Sequence, residues 1–542
     1  MFSLLQQARL QFKPQIPTVL QAVDETVLVP QPIHHHSSDQ ITERFPKTSG
    51  QQLLEIHLGS KSVSNALRVG VLLSGGQAPG GHNVISGLFD ALKAFHPDSV
   101  LIGFYDGPSG VLTNKRVEIT DKLLESYRNQ GGFDIIGSSR TKIETEEQFL
   151  IAEKTVKENK LDGLVIVGGD DSNTNAAFLA EFFLSRGCPT RVIGVPKTID
   201  GDLQSDLIEI SFGFDTACKV YSETIGNLMR DCLSAKKYYY FIKLMGRSAS
   251  HITLECALQT HPNLALISEE IAKEGKTLEG VVDSICDMVC TRSAKGKNYG
   301  VILVPEGVIE FIPEVRVLIE ELNNIMSLKS SHHDAIDKEE NKDTKIVMAA
   351  KLLSTAAQPC FLSLPKDIQA QLLIGRDPHG NVQVSKIETE RMLMSMVKSK
   401  LKKRDERIKF DPISHFCGYE GRSALPSNFD SQYCYALGRV AAILIKGGAT
   451  GYICYVNNLT KRVEKWEAGG VPLTQLMVLE KRHGETKPVV KKTLVDLEGN
   501  AFSQFHTQRA QWAVEDDYIA PGPIQFYGPP ELTDGVPNLI QV

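Results

Sequence analysis

Leu161 to Phe183 reads LDGLVIVGGDDSNTNAAFLAEFF. A short apolar run stops at two glycines, two adjacent aspartates follow, and a helical pattern begins. The run shows no polar alternation, so a strand here is covered on both faces, as in a parallel sheet. The same plan recurs along the chain. LRVGVLLSGG (67–76), VLIGFYDGPSG (100–110), FDIIGSSR (133–140) and TRVIGVPKTID (190–200) are apolar runs ending in Gly, Asp or Ser, with helical stretches between them. Strands alternating with helices predict a three-layer α/β/α architecture. Ligands of such sheets gather beyond the carboxyl ends of the strands, which is where the unusual residues of this chain lie.

A second set follows the first. YYYFIKLMGR (238–247) and NYGVILVPEGV (298–308) again end in polar turns, and ASHITLECALQT and LEGVVDSICDMVC between them read as helices. A chain of 542 residues exceeds one core, so two Rossmann-like α/β domains are expected. The first takes residues 67–212 and 423–470, because SQYCYALGRVAAILIKGGATGYICYV (431–456) reads as a helix, a Gly turn and a strand returning to the first sheet. The second takes 213–422, with a charged helical insertion at about 311–405 that contains a loop near SHHDAIDKEENKDTK (331–345). Residues 1–66 form a polar N-terminal extension packed onto the core, with His34–His36 in an exposed loop, and 471–542 is expected to be loop-rich.

Bulk properties exclude several classes. The net charge of −6 gives no global field for nucleic acid or an anionic membrane, and the basic run KLKKRDER (400–407) reads as a solvated helix face. The ten cysteines include no CxxC pair and read as reduced core residues. No signal peptide or membrane-length apolar stretch is present, so a cytoplasmic protein is expected.

The chemistry lies in the turns. SGGQAPGGHN (74–83) offers glycines for close backbone approach and a following helix start for an anion, although a plain tight βα turn would look similar. In GGDD, Asp170 suits Mg²⁺, which takes oxygen ligands and bridges carboxylate to phosphate, while a helix-capping role better suits Asp171 or Ser172. PKTIDGDL (196–203) adds Asp200, Asp202, Thr198 and Lys197. Phosphoryl transfer to an alcohol needs a base, for which Asp200 is the candidate, and a cation for the migrating charge, for which Lys197 is the candidate. Four carboxylates in two strand-end turns repel one another unless a metal and phosphate-binding cations sit among them. Arg247 in LMGRSASH and Arg422 in GYEGRS suit bidentate phosphate recognition, and Glu306 in VPEG can accept hydrogen bonds from sugar hydroxyls.

Taken in order, SGGQAPG, GGDDSNT, PKTIDGD, MGR, PEG and GYEGR resemble the phosphofructokinase family, over about residues 67–460, and within it the long, pyrophosphate-dependent branch. The resemblance implies reversible Mg²⁺-dependent transfer of a phosphoryl group from diphosphate to the 1-hydroxyl of fructose 6-phosphate, a step of glycolysis and gluconeogenesis. ATP-using members typically carry Gly at the positions of Asp171 and Lys197; here Asp171 would exclude a longer donor by space and charge, and Lys197 would stabilise the leaving phosphate. Gly201, where ATP-using members usually carry Asn, points to the same branch. The resemblance further implies Gly75 and Arg140 at the diphosphate and Asp170 on Mg²⁺. Thr198, Ile199, Asp200, Met245, Gly246, Arg247, Glu306 and Tyr419, Glu420, Gly421 and Arg422 would lie at the sugar phosphate. Lys237 and Tyr238 would reach the substrate of a neighbouring subunit, which implies a homodimer or a higher homo-oligomer with shared sites. Alternatives are an ATP-dependent enzyme, disfavoured by Asp171 and Lys197, and a non-catalytic regulatory subunit, disfavoured by the retained Asp170, Asp200 and Asp202. A dinucleotide-binding domain would need GxGxxG after its first strand.

Overall fold

The structure is a computed structural model that describes residues 2–32, 38–61, 65–327, 332–374, 376, 382–482, 485–524 and 534–541. His34–His36 lie outside the described residues. The strands are, in chain order, β1 (Thr26–Gln31), β2 (Leu53–Leu58), β3 (Arg68–Leu73), β4 (Val100–Phe104), β5 (Arg116–Ile119), β6 (Gly163–Gly168), β7 (Arg191–Pro196), β8 (Tyr239–Leu244), β9 (Leu264–Ala265), β10 (Gly300–Pro305), β11 (Pro412–Cys417), β12 (Tyr452–Asn457), β13 (Glu467–Pro472), β14 (Met477–Arg482) and β15 (Glu485–Val490).

The chain forms two compact units. The first holds Met1–Val220, Tyr419–Thr493 and Ile524–Gln541. Its nine-stranded sheet runs β1-β2-β13-β12-β7-β6-β3-β4-β5. The inner strands β12, β7, β6, β3 and β4 are mutually parallel, and β5 at one edge and β13, β2 and β1 at the other are antiparallel. All six residues of β6 are buried, which is why its sequence shows no alternation. Helices Gly81–Phe95 and Asn428–Lys446 pack backbone to backbone: a Cβ on Gly87 would stand 2.0 Å from the Tyr435 carbonyl oxygen, and one on Gly438 would stand 2.1 Å from that of Val84. Larger residues there would force the helices apart.

The second unit holds Tyr221–Gly418 and Leu494–Pro523. Its sheet, β11-β8-β10-β9, is wholly parallel. The core of this unit takes in helix Leu278–Ala294, the insertion helices and helix Thr389–Arg404.

The α/β class is as the sequence indicates; several local expectations are corrected. Residues 133–140 form turns rather than a strand, with a bridge between Ser74 and Ser139. Phe133, Ile135 and Ile136 are buried, so their apolar pattern reports burial and not extension. The N-terminal extension supplies the edge strands β1 and β2, and Arg9 is buried with its Nη1 donating to Asn428 Oδ1 at 2.9 Å. Helices His333–Asp337 and Lys342–Leu352 occupy most of the segment expected as a loop. The C-terminal segment carries the antiparallel pair β14–β15 and helix Asn500–Val514. The basic run is no plain solvated face: Lys400 bonds Glu279 at 2.9 Å and Asp283 at 2.8 Å, clamping two helices. All ten cysteines are free, and all but Cys290 are buried.

Candidate active site

In the first unit, three strand-end turns converge. β3 ends in the glycine loop, β6 in GGDD and β7 in PKTIDGD, and these three strands are neighbours in the order β7-β6-β3. The Ser172 hydroxyl donates to the Ser74 hydroxyl at 2.8 Å, and Ser74 N donates to Val167 O at 2.8 Å, locking the first two turns together. Asp170 and Asp171 are the first two residues of helix Asp170–Ser185, where the helix dipole favours negative charge. This geometry explains how two adjacent aspartates are tolerated: they leave the helix start toward different cations. The Asp171 carboxylate lies 3.6 Å from Lys142 Nζ, and the Asp170 carboxylate lies 3.6 Å from Lys492 Nζ.

Lys197 is only 4% exposed, and its Nζ donates to Gly76 O at 2.8 Å. Burial, reinforced by the Arg422 guanidinium, pushes its ammonium down to about 8, while Asp200 and Asp170 act in the opposite direction. Gly75 has φ +84, a conformation that favours glycine, and a Cβ there would stand 3.3 Å from Lys197 Nζ. A Cβ on Gly76 would stand 2.7 Å from Arg422 Nη1. Two cations therefore flank one stretch of half-buried glycine backbone, a setting suited to an anion.

Asp200 carries an orphaned atom: its Oδ1 is buried and accepts no hydrogen bond. An unpaired buried carboxylate oxygen is costly unless a ligand completes it, so this atom is placed to take a hydroxyl proton. Asp202, also 4% exposed, is pushed up to about 7 by burial and by the Asp200 charge, against the pull of Lys492. Ile199 is fully buried, so only its backbone can face a ligand. Arg140 is exposed; its charge, with that of Arg422, adds to the field that lowers Lys197.

GYEGRS straddles the division of the chain: Gly418 ends a stretch of the second unit and Tyr419 begins the return to the first. Tyr419 and Glu420 are exposed and Gly421 is buried. Arg422, expected beside the sugar, has its Nη1 3.5 Å from Gln77 O on the glycine loop.

The second unit has its own strand-end constellation. Met245–Arg247 follows β8 and Glu306 follows β10, and these strands pair in register, Pro305 opposite Leu244. Glu306 N donates to Leu244 O at 2.9 Å. A Cβ on Gly307 would stand 1.9 Å from the Arg247 carbonyl oxygen, so the MGR and PEG turns touch through backbone. Gly246 has φ +114, Arg247 Nε lies 3.9 Å from Glu310, and Glu306 is buried. Lys237 is exposed, with its Nζ 4.6 Å from the centre of the Tyr238 ring.

Residues 68–445 match the family model described as Phosphofructokinase. The chain belongs to the phosphofructokinase family. It is 52% identical over 549 residues to a pyrophosphate–fructose 6-phosphate 1-phosphotransferase of Treponema pallidum, covering 98% of this chain and 95% of the relative. It is 52% identical to the beta subunit of the enzyme of that name from Solanum tuberosum, covering 97% of this chain and 92% of that subunit. Among solved structures, a pyrophosphate-dependent phosphofructokinase from Nitrosospira multiformis shares the fold, with a TM-score of 0.54 at 16% identity over 88% of this chain and 96% of that one.

Sequence reading missed Lys492. It lies in VVKKT, just after β15, in a segment that was expected to be loop-rich. The adjacent pair of lysines that follows ETKPVV is the local signal.

Among the described residues, no three His, Cys, Asp or Glu side chains could hold a metal by themselves. A divalent metal in a phosphoryl-transfer site takes one or two carboxylates and fills its shell from phosphate oxygens and water. The Asp170 and Asp202 carboxylates lie 3.6 and 4.0 Å from one ammonium, so they already converge on a positive charge. Among the described residues, no helix is long and apolar enough to cross a membrane.

Proposed function

We propose that this chain is a diphosphate-dependent phosphofructokinase, transferring a phosphoryl group from diphosphate to the 1-hydroxyl of fructose 6-phosphate to give fructose 1,6-bisphosphate and phosphate. The observation that carries this reading is the buried Lys197 ammonium over the Gly75–Gly76 backbone, beside the Asp170–Asp171 pair. The names of the relatives support it. Gly75 and Arg140 bind the diphosphate, Arg422 contributes to phosphate binding from its place beside the glycine loop, and Lys197 stabilises charge on the leaving phosphate. Asp171 excludes a nucleoside triphosphate through its bulk and charge. Asp170 would hold Mg²⁺, which when bound supplies charge neutralisation on the phosphoryl oxygens. Asp200 takes the proton of the 1-hydroxyl through Oδ1. Thr198 and the Ile199 backbone orient that hydroxyl. Met245, Gly246, Arg247 and Glu306, with Tyr419, Glu420, Gly421 and Arg422, bind the sugar phosphate. Lys237 and Tyr238 reach the sugar of a neighbouring subunit, so the enzyme is a homodimer or a larger homo-oligomer. It works in the cytoplasm.

The test supplies fructose 6-phosphate and Mg²⁺ with either diphosphate or ATP and follows fructose 1,6-bisphosphate. Turnover with diphosphate alone is expected. Turnover with ATP alone would overturn the roles given to Asp171 and Lys197, and turnover with neither donor would overturn the catalytic reading.

A further inference from the structure

Lys492 lies at the centre of the carboxylate cluster. Its Nζ is 3.6 Å from Asp170 Oδ2 and 4.0 Å from Asp202 Oδ2. The lysine is held from both sides of its own backbone. Val490 N donates to Thr174 Oγ1 at 2.8 Å, fastening the strap to helix Asp170–Ser185. Thr493 N donates to Asp202 O at 2.7 Å, and Thr493 Oγ1 donates to Gln204 O at 3.1 Å, fastening it to the PKTIDGD loop. Lys491 N donates to Leu476 O at 2.8 Å. Four anchors fix a segment whose one charged side chain in the cluster is Lys492, so the ammonium is delivered by design of the backbone and not by a wandering surface chain.

A surface lysine would not need this framing. An ammonium carries three donors and can serve a carboxylate and a phosphate oxygen at once. Were Asp170 to hold a divalent metal, a phosphate oxygen sharing that ion would come close to the Lys492 ammonium.

We infer that Lys492 is a diphosphate-binding residue of the donor site. The inference rests on the donor reading above. It assigns the C-terminal strap a direct part in recognising the inorganic anion.

The test measures diphosphate binding in the presence of Mg²⁺ by calorimetry, without fructose 6-phosphate, for the wild-type chain, Lys492→Met and Lys492→Arg. Loss of one charge-assisted contact is expected to weaken diphosphate binding by about tenfold or more in Lys492→Met. Lys492→Arg should recover most of it, and fructose 6-phosphate binding, measured separately, should be unchanged in both. Should Lys492→Met not fold, Lys492→Gln takes its place in the same comparison. If Lys492 is only a counter-ion for the carboxylates, the neutral variant will bind Mg²⁺ alone more tightly and diphosphate as well as wild type does. That result overturns the inference while leaving the donor reading intact. A wild-type chain that binds no diphosphate overturns the donor reading, and the inference falls with it.

Discussion

Replacing Lys197 by methionine separates function from stability. The side chain is almost fully buried, and burial lowers its ammonium from 10.5 to about 8. That displacement means the folded protein spends about 3 kcal/mol holding the charge at neutral pH. Methionine keeps most of the stem volume and removes the charge. The Gly76 carbonyl loses its donor but is only partly buried, so water can replace it at a cost of about 1 kcal/mol or less. K197M is therefore expected to be at least as stable as wild type at pH 7. The sign of the pH dependence follows from linkage. Between about pH 8 and 10.5 the unfolded chain binds the Lys197 proton and the folded chain does not, so this residue's penalty fades as pH rises through that window. The stability advantage of K197M should then shrink from pH 7 to pH 10.5. Activity moves the other way: loss of one preorganised charge at the leaving phosphate should cost about 10²–10³ in kcat. Thermal midpoints at pH 7 and pH 10, with kcat for diphosphate at pH 7, measure both. A variant that is clearly less stable at pH 7, or that keeps kcat within threefold, would refute the reasoning.

Three further outcomes are expected. Asp200→Asn should lower kcat by about 10³-fold with a much smaller change in KM, since the orphaned Oδ1 is the proposed proton acceptor; a near-normal rate removes Asp200 from that role. Asp171→Gly should relax the preference for diphosphate over ATP by about tenfold, judged from the ratio of kcat/KM values; an unchanged ratio in a folded variant sinks the exclusion argument. Gly75→Ala puts a Cβ at φ +84 and 3.3 Å from Lys197 Nζ, so KM for diphosphate should rise about tenfold while KM for fructose 6-phosphate holds. Equal effects on both substrates would place the damage elsewhere.

Much of the fold was legible because its signals are local. The unbroken apolar runs of β3, β6 and β7 announce strands buried on both faces, and the glycines and aspartates after them mark the ends where ligands gather. Where burial and extension part company the local signal misleads, as at 133–140, whose apolar residues are buried in turns. β11, PISHFC, was passed over for the opposite reason: it lies at the sheet edge, half exposed, and its composition is mixed.

The sequence by itself determined the parallel α/β core, the order of the strand-end turns and the residue types that could bind phosphate, metal and a sugar hydroxyl. Only the tertiary structure decided which distant groups meet them. Arg422 sits by the glycine loop, Lys142 faces Asp171, and Lys492 faces Asp170 and Asp202. A lysine in VVKKT looks like any solvated lysine until the strap around it is seen bonded to Thr174 and Asp202. Those contacts depend on how the sheet brings together segments far apart in the chain, and no local pattern of side chains encodes them.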